Sequence, residues 1–144
     1  MLIRPETPSD HAAIRTINIQ AFAHHPFSRQ TEHLIVQALR DANALVLSLV
    51  AEDAGAVIGH IAFSLAMIDG KDAGWYTLGP IAVLPDRQGQ GVGSQLVNAG
   101  LAALRLLGAN GCVLVGDPGF YARFGFRVCQ SLTVDGVSAE YFQC

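Results

Sequence analysis

The stretch Leu78 to Val97, LGPIAVLPDRQGQGVGSQLV, commits this chain to one local architecture: a β-branched apolar run halts at Pro85 and opens through a glycine-rich loop into a long apolar helix. Gly89, Gly91 and Gly93 carry no Cβ, so successive backbone N–H groups can turn inward against an anion. The helix that the pattern starts near Val92 adds its unpaired N-terminal donors and the positive end of its dipole. Strand, loop and helix in this order make a phosphate clamp, and a phosphate-bearing ligand is the leading reading. A glycine loop that merely turns a corner is the plainer one.

The residues around the glycines narrow the ligand. A triphosphate-binding loop needs Lys and then Ser or Thr directly after its last glycine, and here Gly93 is followed by Ser94 and Gln95. A dinucleotide fingerprint fits Gly89 and Gly91 but meets Ser94 where glycine or alanine belongs, with Asp117 roughly where a ribose-binding acid would stand. That alternative stays open. It is weakened because only about fifty residues follow the loop, whereas each βαβ crossover of an open parallel sheet takes roughly thirty.

A chain of 144 residues can build one core burying roughly two thirds of its unfolded surface and is too short for two ordinary domains, so residues 1–144 are expected to form a single domain. No apolar run approaches the roughly twenty residues a bilayer demands, and no basic segment leads into an apolar signal core. The expectation is a soluble, cytoplasmic protein with no membrane partner. Cys112, Cys129 and Cys144 form an odd set without C-x-x-C spacing, which points to three reduced thiols and to no metal site. A net charge of −3, with Lys71 the sole lysine among nine basic residues, leaves no basic patch and argues against nucleic acid as a partner.

Along the chain, Leu2–Arg4 reads as a short strand, and Thr7-Pro8-Ser9-Asp10 as a helix start with threonine as cap. Ile14, Ile17 and Ala21 recur at helical spacing up to a break at Pro26, and a second helix carries Leu34, Ile35, Ala38 and Leu39. These helices are expected on one face of a sheet. Leu45–Glu52 and Val57–Ile68 read as strands joined by the turn Asp53-Ala54-Gly55-Ala56, hence antiparallel. Asp69 to Asp72 makes the next turn and Trp75–Val83 the next strand. After the loop, Leu96, Val97, Leu101, Leu104 and Leu107 form an apolar stripe that Gly108 ends, Cys112–Val115 follows as a buried strand, and Asp117-Pro118 caps a short helix. The remainder, Arg127 to Cys144, supplies one or two further strands around an Asp135-Gly136 turn.

The spacing Gln88, Gly91, Gly93, preceded by Ile81, Ala82, Val83 and Pro85, resembles the acetyl-CoA-binding signature Q/R-x-x-G-x-G/A of the GNAT superfamily of N-acetyltransferases. The downstream segment Phe120-Tyr121-Ala122-Arg123-Phe124-Gly125-Phe126 is similar to that superfamily's tyrosine followed, three residues on, by Gly-Phe. The resemblance implies an α/β (α+β) fold: a mixed, mostly antiparallel central sheet of about six or seven strands flanked by helices. It implies acetyl-CoA as co-substrate, no metal, and a small-molecule or peptide amine as acceptor, with homodimerisation left open. By the same resemblance the pyrophosphate sits on backbone N–H groups from Gln88 through Gly89, Gln90, Gly91, Val92 and Gly93 to Ser94. The pantetheine arm lies along Ile81, Ala82 and Val83 as an added strand.

Direct acetyl transfer to an amine requires a neutral amine, stabilisation of the oxyanion and a proton for the departing thiolate. The resemblance gives the proton to Tyr121; the bland alternative is an aromatic core residue packed with Phe120, Phe124 and Phe126. Glu32, Glu52, Asp117, His24, His25 and His60 are candidate bases, with His60 more often a satisfied strand residue and Asp117 more often a helix cap. Arg87 and Arg123 are candidate phosphate partners or plain surface arginines. Many members of the superfamily hold pantetheine with an asparagine before the tyrosine, and here Leu114 stands near that place. The acceptor is expected near the first two helices and the loop His24-His25-Pro26-Phe27. Two other functions stay in play: a non-catalytic acyl-CoA sensor and a small dinucleotide-binding domain.

Overall fold

Alternating burial along two long hairpins builds the centre of the protein, a computed structural model that describes residues 1–26 and 28–144. Phe27, placed by the sequence in the acceptor loop, lies outside the described residues. Strands β1 (Leu2–Pro5), β2 (Leu45–Asp53), β3 (Ala56–Ile68), β4 (Lys71–Val83), β5 (Gly111–Val115) and β6 (Phe142–Gln143) form one sheet in chain order. All neighbouring pairs are antiparallel except β4 and β5. The β2–β3 turn puts Ala54 and Gly55 at φ 51° and 80°, and the β3–β4 turn puts Asp69 and Gly70 at 51° and 76°. Two successive left-handed residues match the twist of the flanking strands, so each hairpin closes on two residues. For that reason β4 begins at Lys71, earlier than the expected Trp75.

Helix α1 (His11–Phe22) follows a single 3-10 turn at Pro8–Asp10, and α2 (Glu32–Asp41) follows in sequence. Both lie on one face, where Ile14, Val36 and Val50 pack together with Val57. The expected stripe of α2 is corrected: Leu34 and Ile35 are exposed and Val36 is the buried residue. The helix is turned by Arg40, whose guanidinium reaches back to Glu6. Helix α3 (Val92–Leu106) covers the opposite face, burying Leu96, Val97 and Leu104 against Leu49, Ile61, Phe63 and Leu78. Each such side chain removed from water contributes roughly 1.5–3 kcal/mol. Gly100 lets the helix sit directly on Phe63, since a Cβ there would stand 2.4 Å from the ring. Leu107 falls past the end of α3 and is exposed, so the apolar stripe stops one turn sooner than its spacing predicts.

Beyond β5, helix α4 (Pro118–Tyr121) and the segment to Cys144 form a smaller layer around Val113, Cys129 and Phe142. Here the expectation of three reduced thiols is corrected. Cys129 and Cys144 form a disulfide with Cα atoms 5.1 Å apart, while Cys112 is free. Folding supplies what spacing in sequence cannot: Cys129 N–H donates to Phe142 O and Cys144 N–H to Arg127 O, laying two distant segments side by side. No described helix is long and apolar enough to cross a membrane.

Candidate active site

The site begins with a fault in β4. Opposite the two-residue step Ile61 to Phe63 of β3, β4 takes three, from Leu78 to Ile81, a bulge that contains Gly79 and Pro80. A bulge bends and twists the strand that carries it, and proline has no N–H to offer a neighbour. The parallel ladder with β5 accordingly runs Trp75↔Gly111, Tyr76↔Cys112 and Thr77↔Val113 and, among the described residues, no further. Past Thr77 the ladder ends, and among the described residues no strand pairs with the β5-facing edge of β4 at Ile81, Ala82 and Val83; this unpaired stretch, the wedge, runs on in sequence to the glycine loop.

That loop is a row of free donors. Arg87 N–H donates to Leu84 O at 2.8 Å and Gln95 N–H to Gly91 O at 3.1 Å, but among the described residues nothing accepts from the N–H groups of Gln88 through Ser94. Gly89 and Gly91 take φ values of 76° and 84°, and the direction a Cβ would occupy is empty for at least 4 Å at both. A left-handed backbone with open space before it and unpaired amides is a cradle that fits an anion and that a side chain would fill. Gln88 has a further use: its Nε2 donates to Val83 O at 3.0 Å, stapling the loop to the end of β4. Gly93 stands at the junction of the parts, because a Cβ there would lie 3.7 Å from Phe120, 3.9 Å from Ile81 and 4.0 Å from Val83.

Tyr121 enters from α4. Asp117 caps that helix by accepting from Gly119 N–H at 2.9 Å, and the Tyr121 ring packs edge-on to Phe120 with centroids 4.9 Å apart. The ring is buried on Gly116: a Cβ there would stand 2.6 Å from Tyr121 Cε2. Burial, with Asp117 and Cys112 nearby, pushes the phenol up to about 12. Burial likewise holds the Cys112 thiol up at about 12, so both groups are neutral donors at ordinary pH. Arg123 lies over the Phe120 ring, 4.9 Å from its centroid. Arg87, the other candidate phosphate partner or surface arginine, is ion-paired with Asp53 of the β2–β3 turn.

The candidate bases are scattered. Glu32 accepts from Ser28 Oγ at 2.7 and 2.8 Å, and Glu52 pairs with Arg4 at 3.3 Å. Asp117 is committed to its cap, while His24 and His25 are exposed between α1 and α2. His60 is fully buried in a network that sequence reasoning missed. Asn18 Nδ2 donates to Ile14 O and faces His60 Nδ1 at 3.3 Å, so His60 Nε2 carries the hydrogen and donates to Ser48 Oγ at 2.9 Å. Ser48 in turn donates to Glu6, which pairs with Arg40 at 2.9 Å and His11 at 2.8 Å. Burial works to raise the Glu6 carboxyl, but the hydrogen bonds from Arg40 and Ser48 outweigh it and hold it below its ordinary value. Desolvation lowers His60 to about 4, keeping it neutral. A cavity of about 460 Å³ opens beside this network, lined by Glu6, His11, Arg40 and the edge of β2, away from every motif-bearing segment. Among the described residues, no group of three or more His, Cys, Asp or Glu side chains gathers in a way that holds a metal.

Residues 45–128 match the family described as acetyltransferase (GNAT) domain. A GNAT family acetyltransferase from Brucella melitensis, solved in complex with acetyl-CoA, is 52% identical with a TM-score of 0.89, covering 99% of this chain and 85% of that one. The Escherichia coli (strain K12) protein named as the uncharacterized N-acetyltransferase YhbS is 40% identical over 129 residues, which is 89% of this chain and 74% of its own length. The crystal structure of E. coli YhbS with CoA has a TM-score of 0.82 at 37% identity over 99% of this chain and 78% of that one.

Proposed function

The chain belongs to the GNAT acetyltransferases, and from that premise we propose that it moves the acetyl group of acetyl-CoA to a primary amine by direct attack, with Tyr121 as the general acid. Acetyl-CoA is the co-substrate and supplies the activated thioester; the chain's own residues bind, orient and donate. The N–H groups of Gln88 to Ser94 take the pyrophosphate, worth up to ~2 kcal/mol for an anion at a helix N-terminus and independent of surface cations. Arg123, which lies over the Phe120 ring, assists them as a cation in this reading. The open edge of Ile81 to Val83 receives the pantetheine amides as a neighbouring strand would, which sets the depth of the thioester in the wedge.

The observation that carries this reading is the convergence at Gly93, where the loop, the side chains of Ile81 and Val83, and Phe120 meet. Phe120 precedes Tyr121, so the turn that closes on the loop is the one that carries the phenol. A donor whose pKa is pushed up to about 12 keeps its proton through neutral pH, so the phenol is present in its neutral, donating form when the thiolate departs. The acceptor amine enters from the α1–α2 side of the wedge, and proton removal from it falls to water or to a residue of that loop, since the buried candidates are engaged elsewhere.

The test is an amine panel incubated with acetyl-CoA, followed by free thiol release, with the wild-type chain and Tyr121→Phe. Phenylalanine keeps the ring and deletes the hydroxyl, so acetyl-CoA affinity is expected to hold while turnover falls by a factor on the order of ten to ten thousand. A wild-type rate in Tyr121→Phe removes the phenol from the mechanism. Tight acetyl-CoA binding with no amine consumed, across the panel, favours a non-catalytic sensor instead.

A further inference from the structure

Gly116 is gripped on both sides by residues from the far end of the chain. Its N–H donates to Tyr141 O at 3.0 Å, and its carbonyl accepts from Gln143 Nε2 at 3.0 Å. The Tyr121 ring rests in the space that a side chain at 116 would need. Gln143 is itself buried, and its backbone is shared between two neighbours: it pairs with Leu114 of β5 on one side and bridges Val128 on the other. Its Oε1 has no hydrogen-bond partner among the described residues, so the side chain's hydrogen bonding is directed to Gly116. Immediately after Gln143 the disulfide to Cys129 closes this arrangement, reinforced by reciprocal backbone bonds between Arg127 and Cys144 at 3.1 and 2.9 Å.

We propose that Gln143 is a positioning residue for Tyr121, acting through Gly116, and that the Cys129–Cys144 disulfide is a redox latch that keeps β6 against the Arg127–Cys129 segment so that Gln143 can act. This rests on the reading of Tyr121 as the proton donor. β6 is two residues long, so its ladder alone is a weak tether, and an ordering crosslink beside it limits how far Gln143 can withdraw. Unlatching is a thiol–disulfide exchange. The thiolate of a dithiol attacks one sulfur of the pair and the other leaves as thiolate; the reagent's second thiol then displaces the first protein sulfur. The protein ends with two thiols, having gained two electrons and two protons, and the dithiol ends as a cyclic disulfide. A low-molecular-weight disulfide such as oxidised glutathione runs the exchange in reverse.

The experiment measures kcat and the KM for acetyl-CoA, with an amine accepted in the panel, for the wild type, Gln143→Leu, Tyr121→Phe and the double variant, each oxidised and after dithiothreitol. Oxidised Gln143→Leu is expected to lose about tenfold in kcat with KM held within about twofold, and to cost Tyr121→Phe less than about twofold further, as for residues that act through one another. Dithiothreitol is expected to lower the wild-type kcat severalfold, oxidised glutathione to restore it, and Cys129→Ser/Cys144→Ser to be slow in either condition. If Gln143→Leu fails to fold, Gln143→Met, which keeps the length of the side chain and deletes its donor, replaces it in the cycle with the same expectations. A slow Tyr121→Phe beside an undiminished Gln143→Leu, equal losses in both backgrounds, or a wild-type rate indifferent to reduction overturns the proposal. A Tyr121→Phe variant as fast as the wild type overturns the reading of Tyr121, and the proposal with it.

Discussion

Gly91 and His60 sit at opposite ends of what single residues disclose in a sequence. The alternating glycines read as backbone that can turn its amides inward against an anion, and Gly91 does adopt the left-handed conformation at the N-terminus of α3. Gly91→Val puts a β-branched residue where φ is 84°, so the loop must refold and the donor row disperses; the Kd for coenzyme A in calorimetry is expected to rise at least tenfold, about 1.4 kcal/mol. His60, by contrast, reads as an ordinary polar interruption of a strand, because its partners Ser48 and Asn18 come from segments 12 and 42 residues away. Folded His60 titrates near 4 and unfolded near 6.5, so below 6.5 only the unfolded chain takes up this proton. Stability from His60 is therefore present above pH 6.5 and lost as pH falls toward 4, by roughly 3 kcal/mol in all. Asp10, held well below the usual carboxylate range by Arg4, adds its loss at more acid pH. Urea melts between pH 6.5 and 4.5 check the window: the slope present in the wild type should be absent in His60→Gln.

At the scale of elements, period-2 and period-3.6 patterns place nearly every strand and helix, and the failures have local causes. The stripe of α2 misleads because the helix lies where Arg40 must reach Glu6, to which Ser48 also donates, so a polar anchor overrides apolar spacing. The bulge in β4 is written in the sequence as a proline inside a strand, which a reading of Trp75–Val83 as one uninterrupted run passes over. The pairing of α3 with β3 is legible only in part: Gly100 looks like a helix-weakening residue, and its reason is Phe63. Gly100→Val drives a branched side chain into that fully buried ring and is expected to lower the unfolding free energy by about 1–3 kcal/mol. Chemical denaturation monitored by circular dichroism measures it, and an unchanged midpoint would mean that α3 stands farther from the sheet than its glycine implies.

For the whole molecule, the proposed function rests on one irregularity of the sheet, the bulge at Gly79 and Pro80 and the short parallel ladder beside it. Six strands pair in chain order, and the parallel join between β4 and β5, closed for three residues and then open, is where a ligand can take a strand's place. The loop and the tyrosine turn were legible because each is a short motif whose chemistry resides in neighbouring residues. The clamp from Tyr141 and Gln143, the Cys129–Cys144 crosslink and the ion pair that occupies Arg87 were not, because each joins segments that only the fold brings together. The central claim is that coenzyme A occupies the wedge with its phosphates on the amides of Gln88 to Ser94. Backbone amide NMR of the isotopically labelled chain, titrated with coenzyme A, tests this most directly. The largest shift changes and new exchange protection are expected at Gln88–Ser94, with a second set at Ile81–Val83. Changes confined to the cavity around Glu6, His11 and Arg40, with the glycine loop unmoved, would contradict it.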